Sequence, residues 1–177
     1  DPRKDLTPLL DTILAHVPAA NVGHSAEAPL MLQPFNLAYD NFMGRLAIGR
    51  IYDGTITPNQ NVFIKKPDGT TRTGRTVKLF TFKGLAKVEA ASASAGDIVM
   101  VAGLPDIYIG ETITTDENAT PLPAIAVDEP TIALNFLVNN SPFAGKEGKY
   151  VTSRQIRDRL EKELEVNVGL KVDFSSA

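Results

Sequence analysis

Turn signals recur through residues 30 to 114 at intervals of about ten residues, and that rhythm constrains the fold more than anything else in the chain. Asp53-Gly54, Pro58-Asn59, Pro67-Asp68-Gly69, Gly84, Gly96-Asp97, Gly103 and Gly110 separate short apolar segments. Such segments are too short for ordinary helices but suit strands of about five or six residues. The spacing predicts an all-β unit, either a small barrel or a sandwich. Pro67-Asp68-Gly69-Thr70 suits a tight hairpin turn, with proline fixing φ and glycine free to take positive φ. Closing the sheet into a barrel would remove its exposed edges.

The flanks read differently. Leu6, Leu9, Leu10, Ile13, Leu14 and Val17 fall on one face of a helix over residues 6–17, which Pro18 stops. Thr7 before Pro8 fits an N-cap with proline at the first helical position. That apolar stripe needs a partner, and the sequence that follows offers none. Residues 21–29 form a linker of small residues and proline. Residues 117–130 form a second, which three prolines keep extended and stiff. Residues 131–138 then predict a strand. Thr152 caps a helix, with Gln155 completing a capping box and Ile156, Leu160 and Leu164 as its buried stripe. Arg157–Glu161 and Asp158–Lys162 are spaced to pair along its wet side. A last strand runs from Gly169 to Phe174. The switch in period from two to 3.6 and back describes a β-α-β half-unit.

Composition excludes several chemistries. There are no cysteines, so a disulfide framework, a thiol nucleophile and a Cys-based zinc site are ruled out. No apolar run approaches the roughly 20 residues that span a bilayer. The chain begins at Asp1 without Met or an apolar signal segment, as a fragment of a longer protein would. The G-x-x-x-x-G-K-S/T phosphate loop and the G-x-S-x-G elbow are both absent. His16 and His24 are isolated, and Asp128-Glu129 lies in a linker before Pro130. No catalytic, cofactor-binding or metal-binding residue is assigned.

Two basic surfaces remain. Net charge is −3, yet residues 65 to 87 carry Lys65, Lys66, Arg72, Arg75, Lys78, Lys83 and Lys87 against Asp68 alone. Phe80 and Phe82 lie among them at strand spacing and are read as core, with base stacking as the other reading. The cations would then face outward toward phosphates or simply be solvated. The second surface is Lys146, Lys149, Arg154 and Arg157, with Arg159 behind. Gly145 and Gly148 supply free backbone N–H groups and the helix start a positive dipole end. Glu147 and Glu161 mix the field, so anion binding and a solvated helix stay equally open.

Gly44-Arg45, Gly49-Arg50-Ile51-Tyr52-Asp53-Gly54-Thr55-Ile56, Gly96-Asp97-Ile98-Val99, Gly103-Leu104 and Gly110-Glu111-Thr112 resemble the second-domain barrel that translational GTPases share. More specific are Asp128-Glu-Pro-Thr and Asn139-Asn-Ser-Pro-Phe-Ala-Gly-Lys-Glu-Gly-Lys-Tyr-Val-Thr-Ser-Arg. These resemble the ribosome-associated TypA/BipA GTPases, as does His16-Val17-Pro18. One departure is Asn59, where that family usually has glycine; asparagine tolerates left-handed φ, so the turn should survive.

The resemblance implies a mainly β chain: a translation-factor barrel followed by a truncated α+β ferredoxin-like half-domain, with a helix left from the GTP-binding domain in front. Residues 1–20 would be that helix, 30–116 the barrel and 131–177 the first half of a third domain. The third domain would lack its central strand, leaving 131–177 marginal alone or completed through another chain by strand swapping or edge pairing. The resemblance further implies a ribosome-binding, non-catalytic portion of a GTPase. Its partners would be ribosomal RNA and proteins, in the cytoplasm or an organelle of bacterial descent, and its role ribosome assembly or stress-adapted translation. GTP and Mg²⁺ would belong to the parent protein. Expected RNA contacts are Arg72, Arg75, Lys78, Lys83, Lys87, Lys146, Lys149, Arg154 and Arg157. A small barrel enzyme or interaction module unrelated to translation is the alternative.

Overall fold

The computed structural model describes residues 5–19, 23–146, 148 and 152–175. Helix α1 spans Thr7–His16. Among the described residues ten strands follow: β1 (Met31–Asp40), β2 (Gly44–Asp53), β3 (Thr55–Ile56), β4 (Asn61–Lys65), β5 (Thr71–Arg75), β6 (Lys78–Lys83), β7 (Ala86–Glu89), β8 (Ala93–Ser94), β9 (Ile98–Ala102) and β10 (Thr112–Thr114). Helix α2 spans Ser153–Leu164. The protein is mainly β, as its turn rhythm predicts.

Eight strands form one sheet in the order β5-β4-β10-β1-β2-β9-β6-β7, and β3 pairs with β8. Among the described residues every ladder is antiparallel, consistent with short turns between neighbouring strands. The β4–β5 turn forms where expected. Gly69 N–H donates to the Lys66 carbonyl at 3.0 Å, and Gly69 has φ +87°. Thr70 N–H donates to the Asp68 carboxylate at 2.8 Å, and this hydrogen bond holds the Asp68 carboxyl below its ordinary range.

The sheet curls until β5 runs into β6 across its far edge. There Thr76 N–H donates to the Gln60 carbonyl at 2.9 Å and Val77 N–H to the Ala102 carbonyl at 2.8 Å. The Thr76 hydroxyl donates to the Thr57 carbonyl at 2.8 Å and accepts from Gln60 N–H at 2.9 Å. Thr76 is fully buried, and these bonds satisfy it. Inside the curl pack Leu32, Ile51, Ile64, Leu79, Val99, Val101 and Ile113.

A second, smaller cluster sits on the outer face: Leu46, Phe80, Met100 and Ala102, flanked by Ala38, Met43 and Ile48. This explains β9, where Val99 to Ala102 are all buried instead of alternating. It also corrects the reading of the two phenylalanines as a core pair. Phe80 is buried under this outer cluster, while Phe82 is 39% exposed.

Asn59 takes φ +61°, the left-handed conformation expected of its turn. Replacing it with a β-branched residue should therefore cost about 1–2 kcal/mol, and Asn59→Gly should be neutral or slightly stabilising. Urea denaturation of Asn59→Val and Asn59→Gly measures this; equal stability of the two would show that the turn relaxes.

The flanking segments depart from expectation in several places. Thr7 does not cap α1: the N-cap is Leu6 without a side-chain bond, and Thr7 N–H donates to the Asp5 carboxylate at 3.0 Å. No described residue covers the stripe, and Leu14 is 82% exposed. Residues 131–138 form no strand, and neither do 169–174. A strand needs a neighbour to take its N–H and C=O groups, and no described strand runs beside either segment. Ile132, Leu134, Phe136 and Leu137 are left exposed. Helix α2 does form, with the predicted capping box at Thr152 and Gln155. Its stripe at Ile156, Leu160 and Leu164 is only half-buried, since neither expected strand forms to cover it. Arg157–Glu161 forms at 3.0 Å, and the other i,i+4 pair is Arg159–Glu163 at 2.7 Å in place of Asp158–Lys162.

Residues 117–125 are strapped along the barrel. The Lys65 ammonium donates to the Glu117 carbonyl, Leu122 N–H to the Thr112 hydroxyl at 2.8 Å, and the Gln33 amide to the Pro123 carbonyl at 2.7 Å. Lys65, Thr112 and Gln33 are all buried, and the strap supplies their hydrogen-bond partners.

Candidate functional site

The predicted cations do not form one surface. Arg72 lies on β5 and turns toward the barrel. Its guanidinium donates to the Glu111 carboxylate at 2.8 Å and to the Asp106 carbonyl at 2.7 Å. Glu111, 5% exposed, also accepts Tyr108 N–H at 3.1 Å. An arginine committed this way holds the 104–111 loop on β5 and has little left for a phosphate. Arg75, at the end of the same strand, donates to the Asn59 carbonyl at 3.2 Å.

Lys78 and Lys87 come together on the outer face of β6 and β7. Phe80 stands opposite Glu89, and Phe82 opposite Lys87. Side chains two residues apart on a strand share a face, so Lys78, Phe80 and Phe82 project on the same side. Lys78 pairs with Glu89 at 3.1 Å. The Lys87 ammonium lies 5.6 Å from the Phe80 ring centroid. Lys83, exposed, ends β6 at the hairpin turn.

The second basic group lies on and before α2. The Lys146 ammonium sits 4.8 Å from the Phe143 ring centroid. Arg154 is exposed in the first turn of α2. Arg157 is shared between Glu161 and the Phe174 ring, 4.7 Å from its centroid. Lys149 lies outside the described residues.

Two features escaped the reading of the sequence. Arg45, on β2, clasps Glu165 at the end of α2 through Nε at 3.2 Å and Nη2 at 2.7 Å, while Nη1 donates to the Ile107 carbonyl at 3.3 Å. Val168 packs against the barrel core beside this clasp. No local pattern links residues 120 positions apart in sequence. The other feature is the β1–β2 turn. The Asp40 carboxylate accepts the N–H groups of Phe42 at 2.9 Å and Met43 at 3.1 Å. These bonds, with a smaller contribution from the Lys87 charge, hold the Asp40 carboxyl below its ordinary range.

Among the described residues no group of three or more His, Asp or Glu could hold a metal ion. His24 meets the Asp53 carboxylate at 3.4 Å and the Tyr52 ring edge-on, with 5.9 Å between centroids. No described helix is long and apolar enough to cross a membrane. What the geometry offers is outward cations with aromatic neighbours on the barrel.

The chain's relatives agree with that architecture. Residues 44–114 match elongation factor Tu domain 2. A protein of Synechocystis sp. named large ribosomal subunit assembly factor BipA is 49% identical over 173 residues, 98% of this chain and 29% of the relative. Proteins of the same name from Bacillus subtilis and Salmonella typhimurium are 45% and 47% identical, again over 98% of this chain and 28% of each relative. The chain thus spans under a third of the length of the relatives it matches. Within that span it belongs to the BipA (TypA) family, as a homologue of the stretch that contains the elongation factor Tu domain 2 barrel.

Proposed function

We propose that this chain is the ribosome-contacting portion of a BipA-like translational GTPase and meets ribosomal RNA through its outward cations. The observation that carries this reading is the 45–49% identity, over 98% of the chain, to proteins named large ribosomal subunit assembly factors. On this reading the chain contributes no catalysis. GTP and Mg²⁺ are handled elsewhere in the intact protein, which works with the ribosome in the cytoplasm, in subunit assembly or stress-adapted translation. Residues 1–20 are the end of the GTP-binding domain, and residues 131–177 begin a ferredoxin-like third domain. The contact set is Lys78, Lys83 and Lys87 on the barrel with Lys146, Lys149, Arg154 and Arg157 around α2. Arg72 drops out of it because its guanidinium holds Glu111, and Arg75 stands at its margin.

Binding through phosphates releases counterions and weakens steeply as salt rises. The test is sedimentation of the intact factor with ribosomes across a salt series. Lys78, Lys83, Lys149 and Arg154 are each changed to glutamate. Each substitution at a true contact should weaken binding several-fold and flatten the salt dependence. If none of the four weakens binding, the assigned surface is wrong.

A further inference from the structure

Phe42 is 99% exposed, yet it stands on an ordered turn. The Asp40 carboxylate pins the backbone on either side of its ring by accepting the Phe42 and Met43 amides. Met43 packs on the outer cluster that contains Phe80. That anchors the tip of the β1–β2 hairpin over the same outer face that carries Lys78, Phe82 and Lys87. A fully exposed phenylalanine costs solubility, and nothing in the barrel's packing requires it. Here it is held in place with little conformational freedom left to lose on binding.

The surroundings select the partner. Phe82 is 39% exposed beside Lys87, and Lys87 also covers the Phe80 ring. Two lysines lie on this face, at 78 and 87, and Lys83 ends the strand at the hairpin turn. Glu89 pairs with Lys78, and the Asp40 carboxylate accepts backbone amides with the Lys87 charge nearby. Aromatic faces interleaved with lysines suit unpaired nucleotides, whose bases stack while their phosphates meet the ammonium groups. An apolar protein pocket would take the ring without needing the cations.

From this arrangement we infer that Phe42 is a stacking residue for an unpaired base of RNA, with Phe82 and Lys87 completing its platform. The inference rests on the ribosome-binding reading above and names the kind of RNA element that this face accepts. Double-helical RNA hides its bases and could not use Phe42 this way.

The test uses the intact factor with ribosomes. Phe42→Ala should weaken binding about tenfold, within the range for loss of one base–aromatic stack. It should leave the salt dependence unchanged, because no phosphate contact is lost. Phe42→Trp should restore binding. Lys87→Glu should instead change the salt dependence. Chemical probing should show one unpaired ribosomal RNA base protected by the wild-type factor and by Phe42→Trp, but not by Phe42→Ala. The ring touches little of the barrel, so these variants should fold, and their thermal unfolding checks it. If Phe42→Ala binds normally while Lys78→Glu or Lys87→Glu binds weakly, the stacking role is overturned and the ribosome-binding reading stands. If no variant changes binding, the inference falls together with the assigned barrel surface. A photocrosslinker at position 42 that captures a ribosomal protein in place of RNA would also overturn the inference.

Discussion

Glu111→Ala should lower the stability of the barrel by about 3 kcal/mol, among the larger effects of any single substitution in this chain. The carboxylate is nearly buried and binds the Arg72 guanidinium at 2.8 Å and the Tyr108 amide at 3.1 Å. Its removal leaves a largely enclosed cation whose remaining counter-charge among the described residues is the exposed Asp106 carboxylate at 4.0 Å. Breaking a buried pair from one side typically costs about 3–5 kcal/mol, and the low end applies because the Arg72 side chain is 26% exposed and can recruit water. Arg72 Nε is already buried without a hydrogen-bond partner among the described residues, so the pair carries a standing cost. Replacing both partners, as in Arg72→Met with Glu111→Leu, should therefore recover most of the loss. Urea denaturation of the two single variants and the double variant measures the coupling directly. A loss under about 1 kcal/mol for Glu111→Ala would mean that water screens the pair. The same logic bears on function. Any ribosome-binding defect of Arg72→Ala should track lost stability, unlike a defect of Lys87→Glu.

Gly103→Ala should cost about 3 kcal/mol or more, for two separable reasons. Gly103 has φ +103°, which an L side chain adopts at a cost of about 1–2 kcal/mol. A Cβ there would also lie 2.5 Å from the Arg75 carbonyl oxygen and 2.8 Å from the Val77 nitrogen. Those atoms belong to the crossing where β5 passes into β6 and the barrel closes, and overpacking such a contact costs roughly 1–3 kcal/mol more. Gly69 separates the two terms. It has φ +87° but open space where a Cβ would go. Gly69→Ala should thus lose only the conformational part, about 1–2 kcal/mol. Thermal unfolding of the two variants side by side is the measurement. Equal losses would show that the crossing gives way and that closure tolerates a side chain.

Much of this was legible in the sequence because its causes are local. A glycine or an asparagine after an apolar run marks a turn wherever the run ends up, and the turns at Asn59, Gly69 and Gly103 all take the positive φ expected of them. The capping box at Thr152 and Gln155 is equally local, a bond between residues three apart. Strand existence at 131–138 was not legible in this way. The alternation is present, but a strand forms only where another strand accepts its backbone bonds, and that depends on what lies beside it.

The candidate site divides along the same line. Residue type and spacing showed that cations cluster between Lys65 and Lys87, but not where each one points. Arg72 and Lys78 are six positions apart and looked equivalent. Register then placed Arg72 beside the buried Glu111 and Lys78 on the outer face. Phe82, read as core, lies on that face because a second apolar cluster there takes Phe80 and leaves its neighbour at the rim.

The sequence by itself determined a barrel punctuated by glycines and its family, since both follow from short-range patterns and residue types. Only the tertiary structure decided which arginine is a structural tie, which lysines share a face with an exposed aromatic, and that Arg45 clasps Glu165 across the chain. Those facts depend on strand register and closure, which bring distant residues together.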